Sequence, residues 1–199
     1  MKTCEYAGEP IAGARSHPWL DAVDNPEARY YDLTTHPALI RSSLEDFRPW
    51  SRYAAIETFY ALLERINHPR SALESNDCEF TGPHVTVPPS EHGAWECSGR
   101  VMILFRALTH NTLAGRVERL KNDLHGALHQ LDPSFASGMV GTTLVPVRYL
   151  SLPEANSLQL GFQLSISFWA WGSSEAESML SLARTLTNLG HALRKVPLN

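Results

Sequence analysis

The sequence predicts an α+β fold, a two-layer sandwich in which a mainly antiparallel sheet carries helices on one face. Three observations carry this reading. Trp95, Cys97, Val101, Ile103, Phe105 and Ala107 alternate with Glu96, Ser98, Arg100, Met102, Leu104 and Arg106, the period of two expected of a strand with one buried face. Leu158, Leu160, Phe162, Leu164, Ile166 and Phe168 alternate in the same way with Gln159, Gly161, Gln163, Ser165, Ser167 and Trp169. Between and after these strands, leucine-rich stripes recur at spacings of three and four, which places them on single helix faces. The order in the C-terminal half, residues 94–196, is β-α-β-β-α, most of a ferredoxin-like unit.

Each element follows from local chemistry. Residues 1–34 hold Gly8, Pro10, Gly13, Pro18 and Pro26 among Trp19, Tyr30 and Tyr31. With no sustained period, this stretch reads as an extended arm. It is too aromatic for a mere solvated tail and is expected to wrap the core or reach a partner. Thr34 or Thr35 can cap a short helix running towards Phe47, with Pro37 in its first turn. Ser51 can cap a better one, in which Ile56, Phe59, Tyr60, Leu63 and Ile66 share a face and His68-Pro69 forms the stop. Cys78 to Phe80 and Val85 to Val87 read as short strands separated by Gly82-Pro83.

After the Trp95 strand, Asn111 or Thr112 can cap a helix with the stripe Leu113, Val117, Leu120, Leu124, Leu128 and Leu131, ended by Asp132-Pro133. A strand through Leu144, Val145, Val147 and Tyr149 then leads into a hairpin loop at Pro153 to Ser157. Gly172 ends the Leu158 strand, and Ser174 with Glu177 forms a capping box for the last helix. That helix carries Met179, Leu182, Ala183, Leu186, Leu189 and Leu193 on one side. No internal repeat is visible, and 199 residues suit one domain with one sizeable core.

Composition narrows the function classes. The formal net charge is −4, so the chain as a whole lacks the positive field that phosphate backbones attract. A nucleic-acid reading would need a basic stripe, for which Arg100 and Arg106, on one strand face, are candidates. Three cysteines, Cys4, Cys78 and Cys97, make neither a disulfide framework nor a zinc motif. The amino terminus shows no apolar run, and the longest one elsewhere, Val101 to Phe105, is far too short to span a membrane. The expectation is a cytoplasmic protein without metal or cofactor.

Four local features bear on function. Gly82-Pro83-His84-Val85-Thr86-Val87 places His84 and Thr86 two apart on a strand, on the same side. This H-x-T pattern resembles one half of the motif of two-histidine phosphoesterases. The resemblance implies a phosphodiester or nucleotide hydrolase in which His84 and a second histidine act as general base and acid. The other copy here, His110-Asn111-Thr112, follows closely and falls at a strand-to-helix turn, which departs from the family's wide spacing. Glu74, Asp77 and Glu79 precede His84, yet without a nuclease-like lysine they read as a polar loop. His125 and His129 stand one helical turn apart, but Gly126 occupies the position where a zincin carries its glutamate, so they read as solvated.

The fourth feature is Trp169 with Trp171, on the polar side of the Leu158 strand. Tryptophan is enriched where partners anchor. The reading that leads is therefore a non-catalytic protein-binding or assembly component of a bacterial or phage-encoded complex, with Trp169 and Trp171 as binding residues. It takes a protein partner or self-associates, and the charge balance argues against nucleic acid. The small hydrolase using His84 and Thr86 is the alternative.

Overall fold

The computed structural model describes residues 14–16, 19–20, 29–149 and 159–198, with side chains for 30–149 and 159–198. The strands are β1 (Ala14–Ser16), β2 (Trp19–Leu20), β3 (Arg29–Tyr31), β4 (Leu73–Ser90), β5 (Gly93–Phe105), β6 (Gly138–Tyr149) and β7 (Gln159–Gly172). The helices are α1 (Leu39–Ser42), α2 (Ala54–Ile66), α3 (Ala114–Leu131) and α4 (Glu175–Lys195). The four long strands form an antiparallel sheet in the order β6-β7-β5-β4, with β2 paired to the far edge of β6. The architecture is thus α+β, as the alternation predicts.

The two clearest strands lie side by side at the centre. Trp95 of β5 faces Gly172 of β7, and the ladder runs without a break to Ile103 and Leu164. Cys97, Val101, Ile103 and Phe105 point to the same side as Leu164, Ile166, Phe168 and Ala170, and all are buried. On that side α4 packs across β7, flanked by α2 and α3. Its Met179, Leu182, Leu186, Leu189 and Leu193 are the buried stripe expected of it. Phe47 and Phe59 stack at 4.4 Å, and Phe59 meets Phe168 at 5.7 Å, which ties the α1–α2 region into the core. Each such side chain removed from water contributes about 1.5–3 kcal/mol.

Several local expectations change. The short strands at Cys78–Phe80 and Val85–Val87 belong to one 18-residue strand, because β5 is long enough to pair with both. Gly82-Pro83 does not separate two elements. It makes a bulge, since Thr81 faces Ser98 and His84 faces Glu96. Val87 is 90 % exposed, so its β-branched character marks extended backbone and no core. This first long strand also extends the sheet beyond the expected β-α-β-β-α. The full run is β-β-α-β-β-α, two ββα units meeting at the β5–β7 contact, and it does not by itself establish a ferredoxin-like order.

The helix starts shift too. The helix expected to reach Phe47 is a single turn, and Asp32 accepts from the Thr34 and Thr35 N–H groups just before it, at 3.1 Å each. α2 begins after Tyr53, past the expected Ser51 cap. Asn111 caps nothing. It is fully buried, and its side chain accepts from Phe105 N–H and donates to Phe105 C=O, both at 2.8 Å. It thereby stands in for a neighbouring strand where β5 ends. Leu113 then becomes the first boundary residue of α3 and is exposed, so the stripe starts at Val117. At α4, Ser174 Oγ accepts from Glu177 N–H at 3.3 Å, while the Glu177 carboxylate reaches Ser173 N–H at 2.8 Å, one residue earlier than in an ideal box. The hairpin loop expected at Pro153–Ser157 lies outside the described residues.

Candidate functional site

The sheet's second face, opposite the helices, decides what the protein can bind. Glu74, Asp77, Glu79, Thr81 and His84 of β4 lie on it, opposite Leu104, Met102, Arg100, Ser98 and Glu96 of β5. On the other half, Gln163, Ser165, Ser167 and Trp169 of β7 face Val145, Thr143, Gly141 and Met139 of β6. Strand alternation leaves this mixed polar, aliphatic and aromatic set outward.

One end of this face is closed by the chain itself. Tyr30 of β3 packs with Leu104, Val147 and Tyr149 into a second, small core. Its hydroxyl donates to Glu74 Oε1 at 3.4 Å. Burial pushes the Tyr149 phenol up, with the Glu74 carboxylate adding to the effect. The last residues of the arm therefore cover part of the sheet, although 1–13, 17–18 and 21–28 lie outside the described residues. Beside Tyr30 a cavity of about 380 Å³ opens between residues 30–44 and the sheet. A bulge between Ser75 and Asp77 puts Asn76 on the same face as Asp77, into that cavity. Asn76 Nδ2 donates to Gln163 Oε1 at 2.6 Å. Its own Oδ1 is buried without a hydrogen-bond partner.

The other end is open. Met139 is 50 % exposed, and Trp169 is half-buried across the strand from it. Gly141 makes room for the Trp169 ring, since a Cβ there would lie 3.1 Å from its Cζ3. The two tryptophans differ in kind. Trp171 is buried, its Nε1–H donates to Glu96 Oε2 at 2.8 Å, and the His92 ring lies 4.8 Å from it. The chain thus satisfies Trp171 from its own β4–β5 hairpin, and Trp169 is the tryptophan left facing outward.

Charge on this face is mostly negative. Arg100 sits between Asp77 at 3.0 Å and Glu79 at 3.1 Å, with Glu96 further along β5. Arg106 does not continue a basic stripe. It turns away, and its guanidinium donates to the carbonyls of Asn67, His68 and Leu73 and to Thr34 Oγ1. Neither arginine is left to meet a phosphate backbone.

The two histidine motifs are not brought together. His84 lies opposite Glu96 and is exposed, its Nδ1 3.1 Å from Gly82 O. Thr86 Oγ1 donates to Ala94 O at 3.3 Å. His110 packs edge-on to Phe105 at the other end of β5, about 30 Å away by strand rise. His125 Nε2 and Thr142 Oγ1 share a 2.7 Å hydrogen bond beside a cleft of about 290 Å³ between α3, α4 and β6. The carboxylate there, Asp132, is held at 2.7 and 2.8 Å by Arg184 and at 3.1 Å by Asn188. These bonds hold its pKa below the usual carboxylate range.

Among the described residues, no three His, Cys, Asp or Glu side chains group as metal ligands would. The two described thiols are free and unreactive in character. Burial pushes Cys97 up to about 12 and Cys78 higher still. Among the described residues no helix is long and apolar enough to cross a membrane.

Asn76 and Gln163 are the site residues that sequence reading missed. The signal was the run Ser75-Asn76-Asp77, three polar residues that interrupt strand alternation, as a bulge does. No protein-family model, curated protein or solved structure shows a significant match to this chain. What can be said of its function rests on its own residues.

Proposed function

We propose that this α+β protein is a non-catalytic binding module that holds a protein partner against the open end of its outer sheet face, as a component of a larger cytoplasmic assembly. The observation that supports the reading is Trp169 beside Met139, large apolar groups turned outward from the paired strands β7 and β6. Such aromatic anchors dominate binding energy when a partner desolvates them. The nearby Glu79 and Glu96 outnumber Arg100, so the complementary partner surface is basic with an apolar side chain at its centre. A second copy would oppose like charges, which disfavours self-association through this face. Two free thiols fit a reducing compartment.

A photo-reactive residue in place of Ser167, with one in place of Thr187 on the exposed side of α4 as control, tests this in cells. A cross-link to a basic protein that forms from position 167, not from 187, and disappears with Trp169→Ala is the expected result. Two outcomes overturn the reading: no cross-link specific to position 167, or a Trp169 shielded from acrylamide quenching in the isolated chain. The hydrolase alternative draws no support from the geometry, because His84 stands beside carboxylates that repel a phosphodiester. An unchanged rate in His84→Ala on a chromogenic phosphodiester removes it.

A further inference from the structure

The sheet ends in two edge strands, and the chain treats them oppositely. An exposed edge presents unpaired backbone N–H and C=O groups that can template another strand, and proteins blunt it with prolines, charges and bulges. β4, at one edge, has all three: Pro83, Pro88 and Pro89, the carboxylates of Asp77 and Glu79, and register shifts at Ser75/Asp77, Thr81/His84 and Val85/Ser90. β6, towards the other edge, has one proline, and residues 133–147 contain no Asp, Glu, Lys or Arg. Among the described residues β2 is the only strand against that side of β6, and it pairs with Arg148 and Tyr149 alone.

The groups on this edge can be named. Trp171 N–H donates to Ser137 O at 2.9 Å, and the β6–β7 register runs from Gly138 to Tyr149 without a shift. In an antiparallel pair, successive residues alternate between bonding the neighbouring strand and facing away from it. The odd-numbered residues of β6 therefore bond to β7, and Gly138, Val140, Thr142 and Leu144 turn their N–H and C=O groups to the edge. Pro146 agrees, since its missing N–H falls on the edge side, where β7 loses nothing. We infer that β6 is the contact between two copies of this chain, which join edge to edge about a two-fold axis at Gly141 into one continuous antiparallel sheet. The occupant follows from the chemistry of the edge. A second copy brings an identical uncharged strand, so no like charges meet. Pairing centred on Gly141 sets Gly138 against Leu144 and Val140 against Thr142, so each outward group is answered and no side chain stands at the axis. Val140 and Thr142, the pair nearest the axis, are both β-branched and suited to a strand. A basic partner, which suits the outer face, has no carboxylate to meet along β6. Strands join in the plane of the sheet, so Trp169 stays open to that partner.

The experiment is light scattering on the full chain over a concentration series, with backbone amide hydrogen exchange at Val140, Thr142 and Leu144 read at each concentration. A monomer–dimer equilibrium is expected, in which exchange at these amides slows about tenfold or more as the dimer forms. Thr142→Pro deletes one outward N–H without touching the β7 ladder, and a folded monomer is expected. Three results overturn the inference: a monomer throughout the series, slow exchange at these amides already in the dilute monomer, which would mean that the chain's own residues cover the edge, or a dimer that survives Thr142→Pro. Should Thr142→Pro not fold, the concentration dependence of exchange in the wild type decides. Trp169→Ala removes the partner cross-link and leaves the dimer unchanged, so this inference and the proposed function fail separately.

Discussion

The two faces of one sheet follow different rules. The helix side is close-packed by Val101, Ile103, Leu164, Ile166 and Phe168 under α4, and among the described residues no buried side-chain N or O atom on it lacks a hydrogen-bond partner. Asn111 bonds both backbone groups of Phe105, and Asn67 Nδ2 reaches Leu63 O and Ser75 Oγ at 2.9 and 2.8 Å. Among the described residues the outer side is covered at one end, and there it keeps an acceptor unanswered; at the other it turns an indole outward. The comparison teaches that packing on one face fixes the strands in place, so that the other face can hold groups that would be costly in a core.

Substitutions can break or sharpen that contrast. On the helix side Phe168→Ala removes a fully buried ring and is expected to destabilise by about 3–5 kcal/mol, read as a fall in the urea midpoint. Asn111→Ala strands the Phe105 N–H and C=O and is expected to cost about 2–3 kcal/mol in the same measurement. Ser174→Ala removes the oxygen that accepts from Glu177 N–H at the start of α4, an effect of about 1 kcal/mol.

On the outer face, Trp169→Ala is expected to change stability by about 1 kcal/mol or less, as partly exposed sites do, while removing the partner cross-link. A loss as large as that of Phe168→Ala would show that Trp169 is core and end the contrast. Smallest is Asp132→Asn. Hydrogen bonds from Arg184, then Asn188, lower the Asp132 pKa in the folded state. Its stabilising contribution is therefore complete above its unfolded pKa of about 3.9 and is lost as pH falls through the lower folded value. An acid titration of the thermal midpoint should be shallower below that point in the variant than in the parent.

Much of this was legible in the chain. The alternation in Trp95–Ala107 and Leu158–Phe168 identifies two strands and their inner faces, because side chains on a strand can only alternate. The stripes of α2 and α4 identify the helix faces for the corresponding reason, a turn of 3.6 residues. Gly172 and Ser174 mark the last turn and cap. These are short-range rules, and neighbours a few residues apart are enough to apply them.

What tertiary structure alone decided depends on partners distant in sequence. Only the length of β5 shows that Leu73–Ser90 is one bulged strand, and only the β5–β7 contact shows that a ββα unit occurs twice. Asn111 looks like a helix cap until the end of β5 is seen to need it. Trp169 and Trp171 are indistinguishable as text, yet Glu96 and His92, contributed by β5 and the turn before it, enclose one and leave the other open. Asn76 and Gln163, 87 positions apart, meet because β4 and β7 flank β5 and send both side chains to one face. Pairing across such separations has no local signature, since it is set by which surfaces the whole chain buries together.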